Sequence, residues 1–262
     1  MNGIPYGIYE GFLILLSVLS LLVLVVILTA LKKLGISKEM IVAIAKGGAQ
    51  LFIIAVILNL LFVYPAWYIP IWAFLGMMVI IGGYTSAKRA TEMPKAFRIT
   101  TPSILAGGAL VLIVLAVTRA MPLHPQFIIP LAGMTFGNSM RICSICMERL
   151  ISEVKQNKSE IETALSLGAD SIKAVKNHAD TSIRASLIPT LDNLKTLGII
   201  FIPGAMAGLL MGGTNPILAA QYQIIVYLMI VGGGTISTIM ATQLAKRKIF
   251  NDKEQLREWV YS

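Results

Sequence analysis

The pair Cys143-Ser-Ile-Cys146 has the spacing at which two thiols bind a metal or form a redox disulfide. These are the only two cysteines of the chain, and no second pair of ligands lies nearby in the sequence. They also share an apolar helical stripe with Met140, Met147 and Leu150, at steps of three and four residues. We therefore expect both cysteines to be buried packing residues, and a redox or metal enzyme is the alternative.

Acidic residues are almost absent from the apolar parts of the chain. None of the 13 Asp and Glu residues falls well inside a long uncharged run, and Glu10 lies only at the entrance of the first. Carriers driven by protons or sodium ions use carboxylates inside the membrane. The dipeptide Gly-Lys, which a Walker A loop requires, does not occur. We expect a non-catalytic transport subunit whose energy comes from a partner.

The helices that carry these residues are predicted to cross a membrane. Apolar residues make up 56% of the 262 residues and charged residues 13%, against about 25% charged residues in soluble domains. Six runs reach spanning length: Phe12–Leu31, Met40–Val63 with one lysine, Tyr64–Ala87, Ile99–Thr118, Ala120–Met140 and Thr196–Ala245. The last is long enough for two spans, the first of them Ile199–Gly213. We predict an all-α membrane protein with seven transmembrane helices in a single permease domain, residues 1–262.

The distribution of basic residues predicts the orientation of the spans. With seven spans, 21 of the 22 Lys and Arg residues fall on one side, and Arg119 alone falls on the other. Basic loops stay in the cytoplasm. We predict a cell-membrane protein with its N-terminus outside and its C-terminus in the cytoplasm.

A long charged segment, Arg141–Lys195, separates the fifth and sixth predicted spans, and we call it the coupling segment. Ser159 and Glu162 have the spacing of a capping box, which predicts a helix over residues 160–167. Gly168 is a natural stop for this helix, and Asp170 is placed to cap a second one that ends before Pro189. The pattern predicts two cytoplasmic helices joined by a tight elbow, Leu165–Ala169.

Small residues on the sixth predicted span favour close approach of helices. Gly204-Ala-Met-Ala-Gly208 is a GxxxG sequence, a pattern typical of helix contacts in membranes. We predict that this region lines a dimer seam or substrate path, with these candidates: Asn138, Gly204, Met206, Gly208, Met211, Asn215 and Gln221. Gly107-Gly108 and Gly232–Gly234 are expected to pack helices within the chain. No set of metal ligands is predicted.

Several stretches resemble one family of transporters. Glu162-Thr-Ala164 followed by Gly168 looks like the start of the EAA loop of ABC permeases, although the spacing to Pro189 is longer than in importers. ETALSLGA, SIRASLIPTLDNLKTLG, PGAMAGLLMGGTNP and AAQYQI resemble the FetB family of ABC permeases throughout. The likeness extends from AKGGAQL near Lys46 to the end of the seventh span.

The resemblance implies a permease subunit that works as a homodimer with two copies of a separate cytoplasmic ATPase. ATP and Mg would bind to that ATPase, and the exported cargo would be iron or another metal ion. The resemblance also marks two groups of residues. The ATPase-coupling group is Glu162, Ala164, Leu165, Leu167, Gly168 and Ala169, and the signature group is Arg184, Pro189, Thr190, Asp192 and Lys195. An ion channel or carrier without an ATPase, and an ABC exporter of a non-metal substrate, are the alternatives.

Overall fold

The computed structural model describes residues 7–33, 35–63, 68–251 and 253–261. Within these ranges the chain is helical, and extended pairing is limited to two isolated bridges. The chain divides into two compact units, Met1–Trp67 and Tyr68–Ser262. The all-α expectation is therefore confirmed for the described residues.

The first unit is a pair of apolar helices. Helix α1 covers Ile8–Leu31 and α2 covers Ser37–Val63. The rings of Phe12 and Phe52 stack with their centroids 5.6 Å apart. Most of the large apolar side chains of both helices are exposed in the isolated chain, as expected for helices whose solvent is lipid.

The described residues of the second unit form eight further α-helices: α3 (Tyr68–Ala87), α4 (Phe97–Val117), α5 (Pro125–Gln156), α6 (Lys158–Ser166), α7 (Ser171–Ala174), α8 (Lys176–Lys195), α9 (Gly204–Met211) and α10 (Pro216–Ile249). A short 3-10 helix follows at Glu258–Val260. Helices α4, α5 and α10 pack on one another, α3 packs on α4 and α5, and α8 packs on α5 and α10. Their apolar core at one end contains Leu115, Met121, Leu131, Val226 and Met229.

Five of the described helices are long and apolar enough to cross a membrane: residues 9–31, 37–62, 70–87, 97–117 and 216–249. Because a helix rises about 1.5 Å per residue, about 20 residues cross the hydrocarbon core. The predicted fifth span lies in α5, which continues without a break into the charged coupling segment.

The prediction of a continuous helical sixth span is wrong. Only residues 204–211 of that stretch are helical, a length of about 12 Å. The preceding residues, 196–203, are not helical, and we call them the break. Gly198 has a left-handed φ of +80°, and Pro203 stands before the first residue of α9. Both features interrupt a helix that composition alone would allow.

The break joins α8, which packs on α5 and α10, to α9, which packs on α10. Near the start of α8, His178 Nδ1 lies 3.9 Å from Glu153 Oε2 of α5. Further along, the Ser186 hydroxyl lies within hydrogen-bonding reach of the Cys146 thiol. Helix α8 therefore runs antiparallel to α5 and returns toward the apolar helices. The backbone nitrogen of Met206 in α9 donates to Gln223 Oε1 of α10 at 3.2 Å.

Two local predictions in the coupling segment are also wrong. Asn157, and not Ser159, precedes α6, and no side chain caps that helix. Because α5 and α6 are separated by one residue, whose backbone nitrogen donates to the Glu153 carbonyl at 3.1 Å, a capping box is not required. Helix α8 also continues through Pro189 to Lys195. Buried neighbours on both sides of the proline, Ser186 and Thr190, favour the helix despite the hydrogen bond that proline removes.

The loop between α3 and α4, residues 88–96, is fastened to the second half of α5. Arg89 Nη1 lies 3.6 Å from Glu148 Oε2, and Lys155 Nζ lies 2.7 Å from Glu92 Oε2. Met93 is also buried in this loop. These contacts tie the base of the coupling segment to the helices α3 and α4.

Candidate functional site

The elbow is a Schellman turn at the end of α6. The backbone nitrogen of Gly168 donates to the Leu165 carbonyl and that of Ala169 donates to the Ala164 carbonyl, both at 3.0 Å. Gly168 has φ +86°, the left-handed conformation that glycine adopts without steric cost. The predicted stop at Gly168 is therefore confirmed, and the turn is tight because its hydrogen bonds close on the last turn of α6.

The apolar residues of the elbow differ in their accessibility. Leu167 is 84% exposed, whereas Ala164, Leu165 and Ala169 are half-buried. Ile172 in the one-turn helix α7 is 56% exposed. Sequence reasoning missed Ile172, although an isoleucine between Ser171 and Lys173 in a predicted surface helix was a usable signal. Leu167 and Ile172 are thus two exposed apolar side chains close together in the sequence, on either side of the turn.

Glu162 faces another part of this chain. Its Oε1 accepts a hydrogen bond from the hydroxyl of Tyr261. This hydrogen bond engages one oxygen of an exposed carboxylate, and the role of Glu162 in ATPase coupling stays a prediction. The hydrogen bond to Glu162, together with burial, raises the pKa of the Tyr261 hydroxyl above its ordinary value of about 10. The shift favours the protonated hydroxyl, which is the form that donates to Glu162.

Tyr261 belongs to the segment that follows α10, described at residues 250–251 and 253–261, and we call these residues the hook. The hook and α6 border a groove of about 720 Å³. The groove is lined on one side by Glu162, Leu165, Ser166 and Ala169, and on the other by residues 253–256 and Tyr261. Sequence reasoning missed the hook because its contacts with α6 join residues about a hundred positions apart.

The signature residues occupy α8 in two different ways. Asp192 and Lys195 form an exposed ion pair, with Nζ 3.1 Å from Oδ1. Arg184 and Pro189 are exposed, whereas Thr190 is buried and its hydroxyl has no hydrogen-bond partner among the described residues. The buried side of α8 consists mainly of small residues: Ala179, Ser182, Ser186 and Thr190. This face permits close approach of α8 to α5.

Most of the predicted seam or path residues lie on α9 and the start of α10. A Cβ added at Gly204 or Gly208 would meet nothing within 4 Å. Within the second unit, the GxxxG sequence is therefore open at both glycines. Met211 is 64% exposed, and Gln221 is exposed as well.

Three of the predicted path residues have local roles. Asn215 caps α10, because its Oδ1 accepts from the Ile217 nitrogen at 2.9 Å. Met206 is held to Gln223 through its backbone. Asn138 lies on α5, where its amide nitrogen donates to the Met134 carbonyl at 2.8 Å and its Oδ1 accepts from Arg141 at 3.2 Å. No described contact brings Asn138 together with the α9 residues.

The two cysteines are free thiols that are fully buried. Cys143 lies near Ser86 of α3 and Cys146 near Ser186 of α8, which supports a packing role. The described ranges contain no group of three or more His, Cys, Asp and Glu residues placed to hold a metal ion.

Comparison with known proteins gives consistent matches over nearly the whole chain. Residues 12–250 match the family described as Uncharacterised protein family (UPF0014). The UPF0014 membrane protein STAR2 of Oryza sativa subsp. japonica is 36% identical over 96% of this chain and 88% of its own length. Protein ALUMINUM SENSITIVE 3 of Arabidopsis thaliana is 36% identical over 94% of this chain and 90% of its own length.

One bacterial relative is named as a transport protein. The Probable iron export permease protein FetB of Escherichia coli (strain K12) is 32% identical over 91% of this chain and 92% of its own length. No solved structure matches the chain. The resemblance noted in the sequence is confirmed, and the apolar helices agree with it. The chain belongs to the UPF0014 family and is a multi-pass membrane protein.

Proposed function

We propose that this chain is the membrane-spanning subunit of an ABC transporter that exports iron or another metal ion and is powered by a separate cytoplasmic ATPase. The elbow is the observation that carries the proposal. It is a rigid turn that presents Leu167, 84% exposed, at the end of a helix of the coupling segment. An exposed leucine on a fixed turn suits insertion into an apolar groove of a soluble partner.

The near absence of acidic residues in the apolar helices supports an external energy source. Glu10 and Glu39 lie in the first turns of α1 and α2, at the ends of the spans. A carrier coupled to protons or sodium needs an ionisable group deeper in the membrane. ATP and Mg would bind to the ATPase, and this chain supplies the path.

The name of the FetB relative supports iron as the first cargo to test. In the proposed transporter, a metal ion is the substrate and crosses the membrane without becoming a resident cofactor. The orientation predicted from the basic residues, with the N-terminus outside and the C-terminus inside, places the elbow in the cytoplasm with the ATPase.

Helix α8 is suited to transmit movement from the elbow to the membrane. Its 20 residues cover about 30 Å, with the elbow and α7 before it and the break after it. Its small buried residues permit a sliding displacement along α5, as in shear motions of packed helices. A push at the elbow would thus reach the break and α9.

Two copies of the chain are proposed to meet along α9. Gly204 and Gly208 are open in the single chain, and small residues at this spacing allow the backbones of two helices to approach. The break also suggests that protein, and not lipid, covers this surface of the chain, since unpaired backbone groups are costly in contact with lipid.

The test uses the purified permease and a purified candidate ABC ATPase, chosen from the genes adjacent to that of the permease. We expect the wild-type permease to retain the ATPase, and proteoliposomes containing both to move Fe²⁺ only with ATP. Leu167→Asp should abolish retention, because a carboxylate placed in an apolar groove without a partner costs several kcal/mol. Leu123→Asp is the matched control, since Leu123 is an exposed leucine (62%) in the loop between α4 and α5.

Two results would overturn the proposal. Fe²⁺ transport at the wild-type rate without the ATPase would favour a channel or carrier. Equal retention of the ATPase by the Leu167 and Leu123 variants would exclude the elbow as the coupling element.

A further inference from the structure

The hook is a fixed structure at the end of α10. Its base is closed by Arg257, whose Nε donates to the Phe250 carbonyl at 2.8 Å and whose backbone nitrogen donates to the Ile249 carbonyl at 2.9 Å. Asn251 Oδ1 accepts from two backbone nitrogens, each at 2.9 Å. Val260 is 2% exposed. The hook therefore holds the residue that follows, Tyr261, in a defined place.

Tyr261 reaches α6 through two contacts. Its hydroxyl donates to Glu162, and Lys158 Nζ lies 5.5 Å from the centroid of its ring. Lys158 and Glu162 are four residues apart and so lie on neighbouring turns of one face of α6. A carboxylate and an ammonium group of the same helix thus hold one tyrosine side chain.

The face of α6 that meets the hook is different from the surface that presents Leu167. Glu162, Leu165, Ser166 and Ala169 border the groove toward the hook, at helical steps of three and four residues. Leu167 is not among the residues that line the groove, and it is 84% exposed. A contact that fixes the rotation of α6 about its axis also fixes the direction in which Leu167 points.

We propose that Tyr261 is a positioning residue for the elbow. Through Glu162 it fixes α6 against the hook, so that Leu167 is presented in one orientation. A force applied to the elbow is then also transmitted through the hook to α10. This inference rests on the proposed function for its transport consequence, and on the contacts alone for its structural part. The hook then connects the elbow to the membrane by a second route, parallel to α8.

The experiment uses three variants of the full chain. Tyr261→Phe keeps the ring and removes the donor. Glu162→Ala removes the acceptor, and Glu162→Gln keeps an acceptor oxygen as the conservative control. Hydrogen exchange of the permease alone is measured at the amides of Leu167, Gly168 and Ala169, which close the elbow.

We expect roughly threefold faster exchange at these amides in Tyr261→Phe and Glu162→Ala, and near wild-type exchange in Glu162→Gln. The double variant Tyr261→Phe/Glu162→Ala should match the single variants, because both remove one interaction. With the ATPase present, Tyr261→Phe should lower the amount of Fe²⁺ moved per ATP hydrolysed, while ATPase retention stays within twofold of wild type.

Unchanged exchange in both Tyr261→Phe and Glu162→Ala would overturn the inference, and so would faster exchange with an unchanged ratio of transport to hydrolysis. If the wild-type permease retains no ATPase, the proposed function fails. The exchange measurement still decides in that case whether Tyr261 positions the elbow.

Discussion

Gly107 of α4 lies directly against Ser237 of α10. A Cβ added to Gly107 would be 3.0 Å from the backbone nitrogen of Ser237, and would come closer still to its hydroxyl and to the Gly233 carbonyl. A Cβ added to Gly233 of α10 would in turn lie 3.1 Å from Ser139 Oγ of α5. Three helices therefore meet at one level through glycine and serine, which leaves no space for a larger side chain.

We expect Gly107→Ala to destabilise the permease by about 1–3 kcal/mol, because α4 and α10 must separate to admit the methyl group. Thermal unfolding in detergent measures the loss. Gly76→Ala is the control, since an added Cβ there meets nothing within 4 Å.

The contact between Gly107 and Ser237 leads to a second prediction, which concerns the double variant. Removing the hydroxyl in Gly107→Ala/Ser237→Ala should recover little stability, because the Gly233 carbonyl is backbone and still blocks the methyl group. Full recovery in this double variant would mean that the serine side chain alone sets the distance between the helices.

Much of this helix packing could be predicted from the sequence, whereas the break before α9 could not. Glycine pairs in apolar runs predict close helix contacts, and Gly107 and Gly233 form them. The uncharged stretch from Thr196 onward predicts spanning helices because hydropathy reports composition without conformation. The break depends on Gly198 at φ +80° and on Pro203, whose effects are local and leave the hydropathy average unchanged.

The candidate site also contains features that the sequence predicts and features that it does not. Gly168 could be predicted, because its role depends on neighbours within five residues. The Tyr261–Glu162 contact could not, since it depends on where α10 ends relative to α6. Pro189 was misread because tertiary packing on both of its sides outweighs its local preference.

The open glycines of α9 predict an effect on assembly. Gly208→Leu should lower the dimer fraction in detergent and reduce transport, because the side chain fills space reserved for a second α9. Gly76→Leu, at an exposed and equally open position of α3, should leave both unchanged. Crosslinking or light scattering measures the dimer, and equal behaviour of the two variants would place the seam elsewhere.

The elbow turn allows a matched comparison of two glycines. Gly168 has φ +86° and Gly213 has φ +83°, and an added Cβ meets nothing within 4 Å at either. Alanine should therefore cost each site a similar amount, about 1–2 kcal/mol. Of the two variants, we expect only Gly168→Ala to reduce stimulation of the ATPase by the permease. A comparable reduction in Gly213→Ala would indicate that the effect comes from general instability.

The two thiols should be inert in the folded protein. Cys143 and Cys146 are both 0% exposed, so we expect no labelling by a maleimide until the permease is denatured. Cys143→Ala/Cys146→Ala should transport at a rate within about twofold of wild type, because alanine is tolerated where a small apolar side chain packs. Loss of transport at unchanged thermal stability would instead assign the pair a chemical role.

The predicted orientation can be read by labelling single cysteines in that cysteine-free background. An impermeant maleimide added to intact cells should label Gly7→Cys and Arg119→Cys, and should reach Lys253→Cys only after lysis. Labelling of Lys253→Cys alone in intact cells would reverse the assignment.

Helix α10 imposes a constraint on how chains of this kind can change in length. It runs uninterrupted for 34 residues, from the cap at Asn215 to the hook. Its rotation is fixed near the start by the contact of Gln223 with Met206 and near the middle by the contact with Gly107 of α4. One residue inserted between Ala241 and Ile249 would turn the hook by about 100° and move Tyr261 away from Glu162. Relatives that keep this tyrosine contact should therefore tolerate insertions in the loop before α10 but none within its last two turns or in the hook.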